Sequence, residues 1–93
     1  MGQVQLYATL RPRADGERRI DIAWTPGARV GDVIRELIIR KPGLQGYILD
    51  DGGAVVPYVS VFLDGRDIRY LEGLETILDG HIELAIFPPV AGG

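Results

Sequence analysis

The period of the hydrophobic pattern changes along this chain from two to helical and back to two, and that change limits the fold more than any other feature. Val4, Leu6, Ala8 and Leu10 alternate with Gln5, Tyr7 and Thr9, and beyond Asp15-Gly16 the alternation resumes with Ile20, Ile22 and Trp24 against Arg19, Asp21 and Ala23. Period two belongs to a strand with one buried face, so these runs predict an antiparallel hairpin. Its connection, Arg11 to Glu17, leaves the turn type open. After Pro26-Gly27 the apolar residues Val30, Val33, Ile34, Leu37 and Ile38 fall at helical spacing, with Asp32, Arg35, Glu36 and Arg40 on the other side. Pro42-Gly43 ends this helix. Its start is less well marked, because Arg29 stands where a Ser, Thr or Asp cap is expected.

Gly43 to Pro57 is turn-rich and reads as connection, with one short helical turn around Leu44 to Leu49 broken by Asp50-Asp51-Gly52-Gly53. A third strand is predicted over Tyr58 to Leu63, closed by Asp64-Gly65, which leads to a short piece around Asp67 to Tyr70. Past Asp79-Gly80, Ile82, Leu84 and Ile86 alternate with Glu83, Ala85 and Phe87 until Pro88-Pro89 ends the pattern, since proline cannot donate to a ladder. The order strand, strand, helix, strand, short strand, strand lays one main helix across one face of a mixed sheet. That is an α+β roll of the beta-grasp, ubiquitin-like kind. Val4, Leu6, Ala8, Leu10, Ile20, Ile22, Val59, Val61, Ile82, Leu84 and Ile86 are its expected inward residues. Residues 1–87 then form the domain, and 88–93 a flexible tail ending Gly-Gly.

Composition closes several routes to function. The 93 residues make one domain, and a 46% hydrophobic fraction supplies one core. Thirteen acids against ten bases give a net charge of -3 with no long run of one sign, so nucleic acid and anionic membranes are not expected partners. With no cysteine, disulfides, thiolate metal sites and a cysteine nucleophile are excluded. No stretch is long and apolar enough to span a bilayer, and the expected compartment is the cytoplasm. His81, the one histidine, has no second His or Cys to complete a metal site. Asp50-Asp51 and Asp64 with Asp67 lack the alternating ligands of a calcium loop, and Gly52-Gly53 lacks the lysine of a phosphate loop. They read as turns, and no metal is expected.

The tail is where the chemistry is expected. Six residues follow Phe87, enough to reach roughly 20 Å when extended. Gly92 and Gly93 carry no side chains, so such a tail can thread a narrow channel and present the Gly93 carboxylate to a partner's active site. At its root, the alternation turns Tyr7, Phe62, Ala85 and Phe87 outward together, with Ile68 close by. Aromatics gathered on one sheet face predict a docking patch, continued by Pro88 and Pro89.

The ending Phe87 to Gly93 resembles that of the small subunit of molybdopterin synthase, and the whole architecture is similar to the MoaD/ThiS family of ubiquitin-like sulfur carriers. Leu10-Arg11-Pro12 and Tyr58 to Gly80, above all Asp67-Ile68-Arg69, Gly73-Leu74, Thr76 and Asp79-Gly80, look more like the branch serving cysteine biosynthesis. Arg29 departs from the threonine often found there at the helix start. The resemblance implies that a ubiquitin-activating-like adenylyltransferase spends ATP to adenylate the Gly93 carboxylate, with no cofactor bound by this chain. A sulfur donor such as a cysteine desulfurase or rhodanese then converts it to a thiocarboxylate. The acceptor would be the molybdopterin synthase large subunit or a pyridoxal-phosphate cysteine synthase, with this chain a cosubstrate and not the catalyst. Two alternatives stay open: a protein modifier joined to lysines through Gly93, and a plain beta-grasp binding module. Lys41, the only lysine, leaves a chain-building modifier little choice of linkage.

Overall fold

The computed structural model describes residues 2–81 and 83–89. Strands β1 (Gly2–Leu6), β2 (Arg19–Ile22), β3 (Ser60–Leu63), β4 (Arg66–Asp67) and β5 (Glu83–Phe87) form one sheet in the order β2-β1-β5-β3-β4. β1 and β5 run parallel at its centre and the other neighbours antiparallel, so the sheet is mixed. Two α-helices accompany it among the described residues, the four-residue α1 (Leu10–Arg13) and the long α2 (Val30–Arg40). Val30, Val33, Ile34 and Leu37 of α2 join Val4, Leu6, Ile20, Ile22, Val61, Leu63, Leu84 and Ile86 in a single core. This is the beta-grasp arrangement.

Register explains which faces are dry. Val4 lies opposite Leu84 and Leu6 opposite Ile86, while on the other flank Leu63 meets Leu84 and Val61 meets Ile86. All are buried on the helix side. Side chains alternate across a strand, so Gln5, Ala85 and Phe62 share a row on the opposite face, with Ser60 and Phe87 in the next. Ile82, an expected inward residue, lies outside the described residues.

Several boundaries differ from the sequence expectation. β1 stops at Leu6, and Ala8 is exposed at φ +52° rather than turned inward. Leu10 is buried as expected but opens α1, where Pro12 sits in a first turn that needs no N–H from it. Trp24 falls beyond β2 and packs half-buried over Gly2, where a Cβ would come within 1.8 Å of the indole. β3 begins at Ser60, because residues 56–59 form a turn closed by Val59 N–H on the Val56 carbonyl at 3.1 Å. The largest omission is in residues 43–57, read as connection: Leu44, Ile48 and Leu49 belong to the core. Irregular backbone carries no period by which they could be read.

The two-residue turn at Asp64 (φ +47°) and Gly65 (φ +85°) pairs Leu63 with Arg66, as a hairpin of the primed type requires. At the start of α2, Asp32 Oδ2 accepts from the Arg29 N–H at 3.0 Å. That bond, followed by the one from Arg35, holds the Asp32 carboxyl below its usual range. An arginine side chain has no acceptor to return to the helix, and Arg29 instead pairs with Glu75 at 2.9 Å. Half of a reciprocal cap therefore suffices here. Gly43 admits a close backbone approach, since a Cβ there would meet the Arg13 carbonyl oxygen at 2.3 Å.

Candidate functional site

β5 ends at Phe87 because Pro88 and Pro89 offer the ladder no N–H. Phe87 faces away from the core and is half-buried. Beside it, Tyr7 is held at the end of β1 by its N–H donating to the Ile86 carbonyl at 3.2 Å. The Tyr7 ring stacks on Phe87 with centroids 4.2 Å apart and planes 14° apart. From β3, Phe62 meets Phe87 edge-on at 5.4 Å and 86°. The edge-on contact suits the ring quadrupoles. Ala85, small and 9% exposed, lies in the row below.

Polar contacts fix the Tyr7 ring. Its hydroxyl donates to Gln5 Oε1 at 2.8 Å, and Gln5 Nε2 donates to Glu83 Oε2 at 2.6 Å, forming a chain across β1 and β5. Arg11 Nε donates to the Leu6 carbonyl at 3.1 Å, which places its guanidinium 5.9 Å from the Tyr7 ring centre, within cation–π range. Next to Tyr7 opens a shallow groove of about 530 Å³ lined by Gln5, Leu6, Arg11, Glu17, Arg18 and Arg19. Gln5 and Glu83 share the outward alternation with Phe87, so that signal was present in the sequence. Arg11 gave none, because it follows the strand's end.

Of the residues expected to dock a partner, Tyr7, Phe62 and Phe87 are brought together and Pro88 and Pro89 continue from them, Pro88 half-buried and Pro89 exposed. Ile68 does not join them. It is 3% exposed and packs into the core, because Asp67 pairs with outward-facing Phe62 and the next residue, which opens a 3-10 helix (Ile68–Tyr70), turns to the opposite face. Gly92 and Gly93 lie outside the described residues.

The remaining candidates have structural work. His81 Nδ1 lies 2.6 Å from Asp64 Oδ2, and Asp64 Oδ1 accepts from the Glu83 N–H at 3.1 Å. Asp50 Oδ1 accepts from the N–H groups of Gly52 and Ala54, an Asx-type turn. Asp67 accepts from the Arg69 backbone and guanidinium; the side-chain bond in particular holds the Asp67 carboxyl below its usual range. Lys41 Nζ lies 2.9 Å from Glu17 and 3.3 Å from Asp15, with its side chain 15% exposed. The Glu17 bond raises its pKa most. Among the described residues no three His, Cys, Asp or Glu side chains group as a metal site, and no helix is long and apolar enough to cross a membrane.

A mixed five-stranded sheet crossed by one helix, whose central C-terminal strand runs on toward Gly-Gly, defines a ubiquitin-like small protein. The chain belongs to the ThiS family, whose sequence pattern matches residues 4–93. It is 38% identical over 91 residues to small archaeal modifier protein 3 of Haloferax volcanii, covering 98% of this chain and 97% of that one. With the sulfur carrier protein CysO of Mycobacterium tuberculosis it shares 27% identity over 92 residues, covering 97% and 96%. A chain of the Amycolatopsis orientalis BexX/CysO complex matches its structure with a TM-score of 0.84 at 28% identity, covering 100% of both. These relatives are small carriers and modifiers, and this chain likewise is not itself the catalyst.

Proposed function

We propose that this protein carries sulfur as a thiocarboxylate on Gly93, supplied through an adenylate made by a ubiquitin-activating-like partner. A carboxylate is a poor electrophile, so the oxygen must first be made a leaving group. Attack of the Gly93 carboxylate on the α-phosphate of ATP gives the acyl adenylate and releases pyrophosphate. The terminal sulfur of a protein persulfide, from a cysteine desulfurase or rhodanese, then attacks the acyl carbon and expels AMP. A thiol cleaves the resulting acyl disulfide, leaving the thiocarboxylate on Gly93 and a disulfide on the donor. ATP is consumed by the partner and no cofactor is held by this chain. The absence of cysteine suits this, because the terminus is then the one place where transferable sulfur is held.

The observation that carries the reading is the aromatic cluster at the root of a Gly-Gly tail: Tyr7, Phe62 and Phe87 sit where the chain leaves the sheet. A partner docked there aims Gly93 into its active site. The likeness to CysO, whose A. orientalis counterpart is found in complex with BexX, supports an acceptor of the biosynthetic kind, a pyridoxal-phosphate cysteine synthase or the large subunit of molybdopterin synthase.

A second reading has its own support. The relative from H. volcanii is a modifier protein, and the same adenylate, attacked by a lysine amine, would yield an isopeptide bond. Lys41 is engaged by Glu17 and Asp15, so attachment to other proteins fits better than self-linked chains. The test common to both is pyrophosphate exchange. With the adenylyltransferase of its own organism, ATP and labelled pyrophosphate, the protein should support exchange into ATP. Its absence with an enzyme active on another carrier refutes activation at Gly93.

A further inference from the structure

Tyr58 combines features that the fold does not require of each other. It is the third residue of the turn 56–59, with φ at +68°, directly after Pro57. Proline second and positive φ third make the type II geometry, in which glycine or asparagine normally takes the third place. A bulky side chain there strains the backbone. The strain is not offset by packing, because Tyr58 is 85% exposed, and among the described residues its hydroxyl makes no hydrogen bond and its ring no aromatic pair. A contact outside the domain would account for it.

Its position says which contact. Tyr58 precedes by two residues Ser60, the pairing partner of Phe87, so its Cα lies within about 7 Å of that of Ser60. β1 and β3 flank β5 on either side, and Tyr7 and Tyr58 therefore stand at the two neighbours of the strand from which the tail departs. Gly93 lies four residues beyond Pro89, a span of at most about 14 Å. Any protein that holds the Gly93 carboxylate in its active site must bring its surface over this end of the sheet. The uncompensated strain, the exposed ring and the short reach converge on one role. We infer that Tyr58 is a docking residue for the adenylating enzyme that receives Gly93, a second contact beside the Phe87 cluster. This rests on the activation reading above.

Tyr58→Asn tests it, since asparagine tolerates the left-handed backbone and removes the ring. In the pyrophosphate-exchange assay the variant should raise KM for the carrier about tenfold with kcat retained, the pattern of lost docking. Its unfolding temperature should stay level or rise by a few degrees, roughly what relief of such strain yields. Tyr58→Phe should restore KM. A KM for Tyr58→Asn within about twofold of the parent, while the parent is adenylated normally, overturns the role of Tyr58 alone. A clear fall in unfolding temperature also overturns it, by making the ring structural. If the parent chain supports no exchange, the activation reading falls and this inference with it.

Discussion

Removal of Gly92 and Gly93 is expected to abolish adenylation while leaving the unfolding temperature within roughly 2 °C of the full chain's. The two halves of this result have separate causes. Among the described residues the last strand ends at Phe87, and the two prolines that follow cannot extend it. Chemistry is different, because the shortened chain ends at Ala91 and its carboxylate falls up to about 7 Å short of the adenylation site. Misplacement of a reacting group by about 1 Å is already enough for a hundredfold loss, so the rate should drop by at least about a thousandfold. Calorimetry beside the exchange assay checks both halves. A truncated chain that unfolds much earlier would make the tail structural, and one still adenylated would free Gly93 of any role.

Adjacent residues on β5 should separate folding from docking. Ile86 is fully buried between Leu6 and Val61, so Ile86→Ala should cost about 2 to 5 kcal/mol of stability, from lost transfer energy and the cavity left behind. Phe87 points the other way, half-exposed between Tyr7 and Phe62. Aromatic anchors of this kind are typically worth about 2 kcal/mol of binding, so Phe87→Ala should weaken the partner complex roughly thirtyfold with a smaller effect on stability. Denaturant titration of both variants, with calorimetric binding of Phe87→Ala, decides it. If Phe87→Ala unfolds the domain while Ile86→Ala leaves it intact, the outward face of β5 has been misassigned.

How far the sequence could be read depended on the period it carried. β1, β2, β5 and α2 show clear alternation or a helical stripe, and their large buried side chains follow it, while small Ala85 is covered on the outward face of β5. Leu10 kept its burial but not its element, because Ala8 at positive φ and Pro12 end a strand that the pattern alone would continue. Leu44, Ile48 and Leu49 escaped because a loop that dips into the core repeats nothing. Nearness in the chain alone sets Ile68 beside the patch, whereas Asp67 pairs with outward Phe62 and the residue after it turns to the opposite, buried face. Within the site, Tyr7, Phe62 and Phe87 were legible from strand parity. The chain from Tyr7 through Gln5 to Glu83 and the Arg11 contact required the pairing of β1 with β5, which is parallel and separated by most of the chain.

The central claim is that Gly93 bears the sulfur. It is tested most directly on protein isolated from its own cells, alkylated at once to trap thiocarboxylates, digested, and read by mass spectrometry at the C-terminal peptide. The account predicts that part of this peptide has one carboxylate oxygen replaced by sulfur, with the alkyl group localised to Gly93. Gly93 found solely as free carboxylate or in isopeptide bonds to lysines of other proteins, under conditions where a known carrier is trapped, would contradict it.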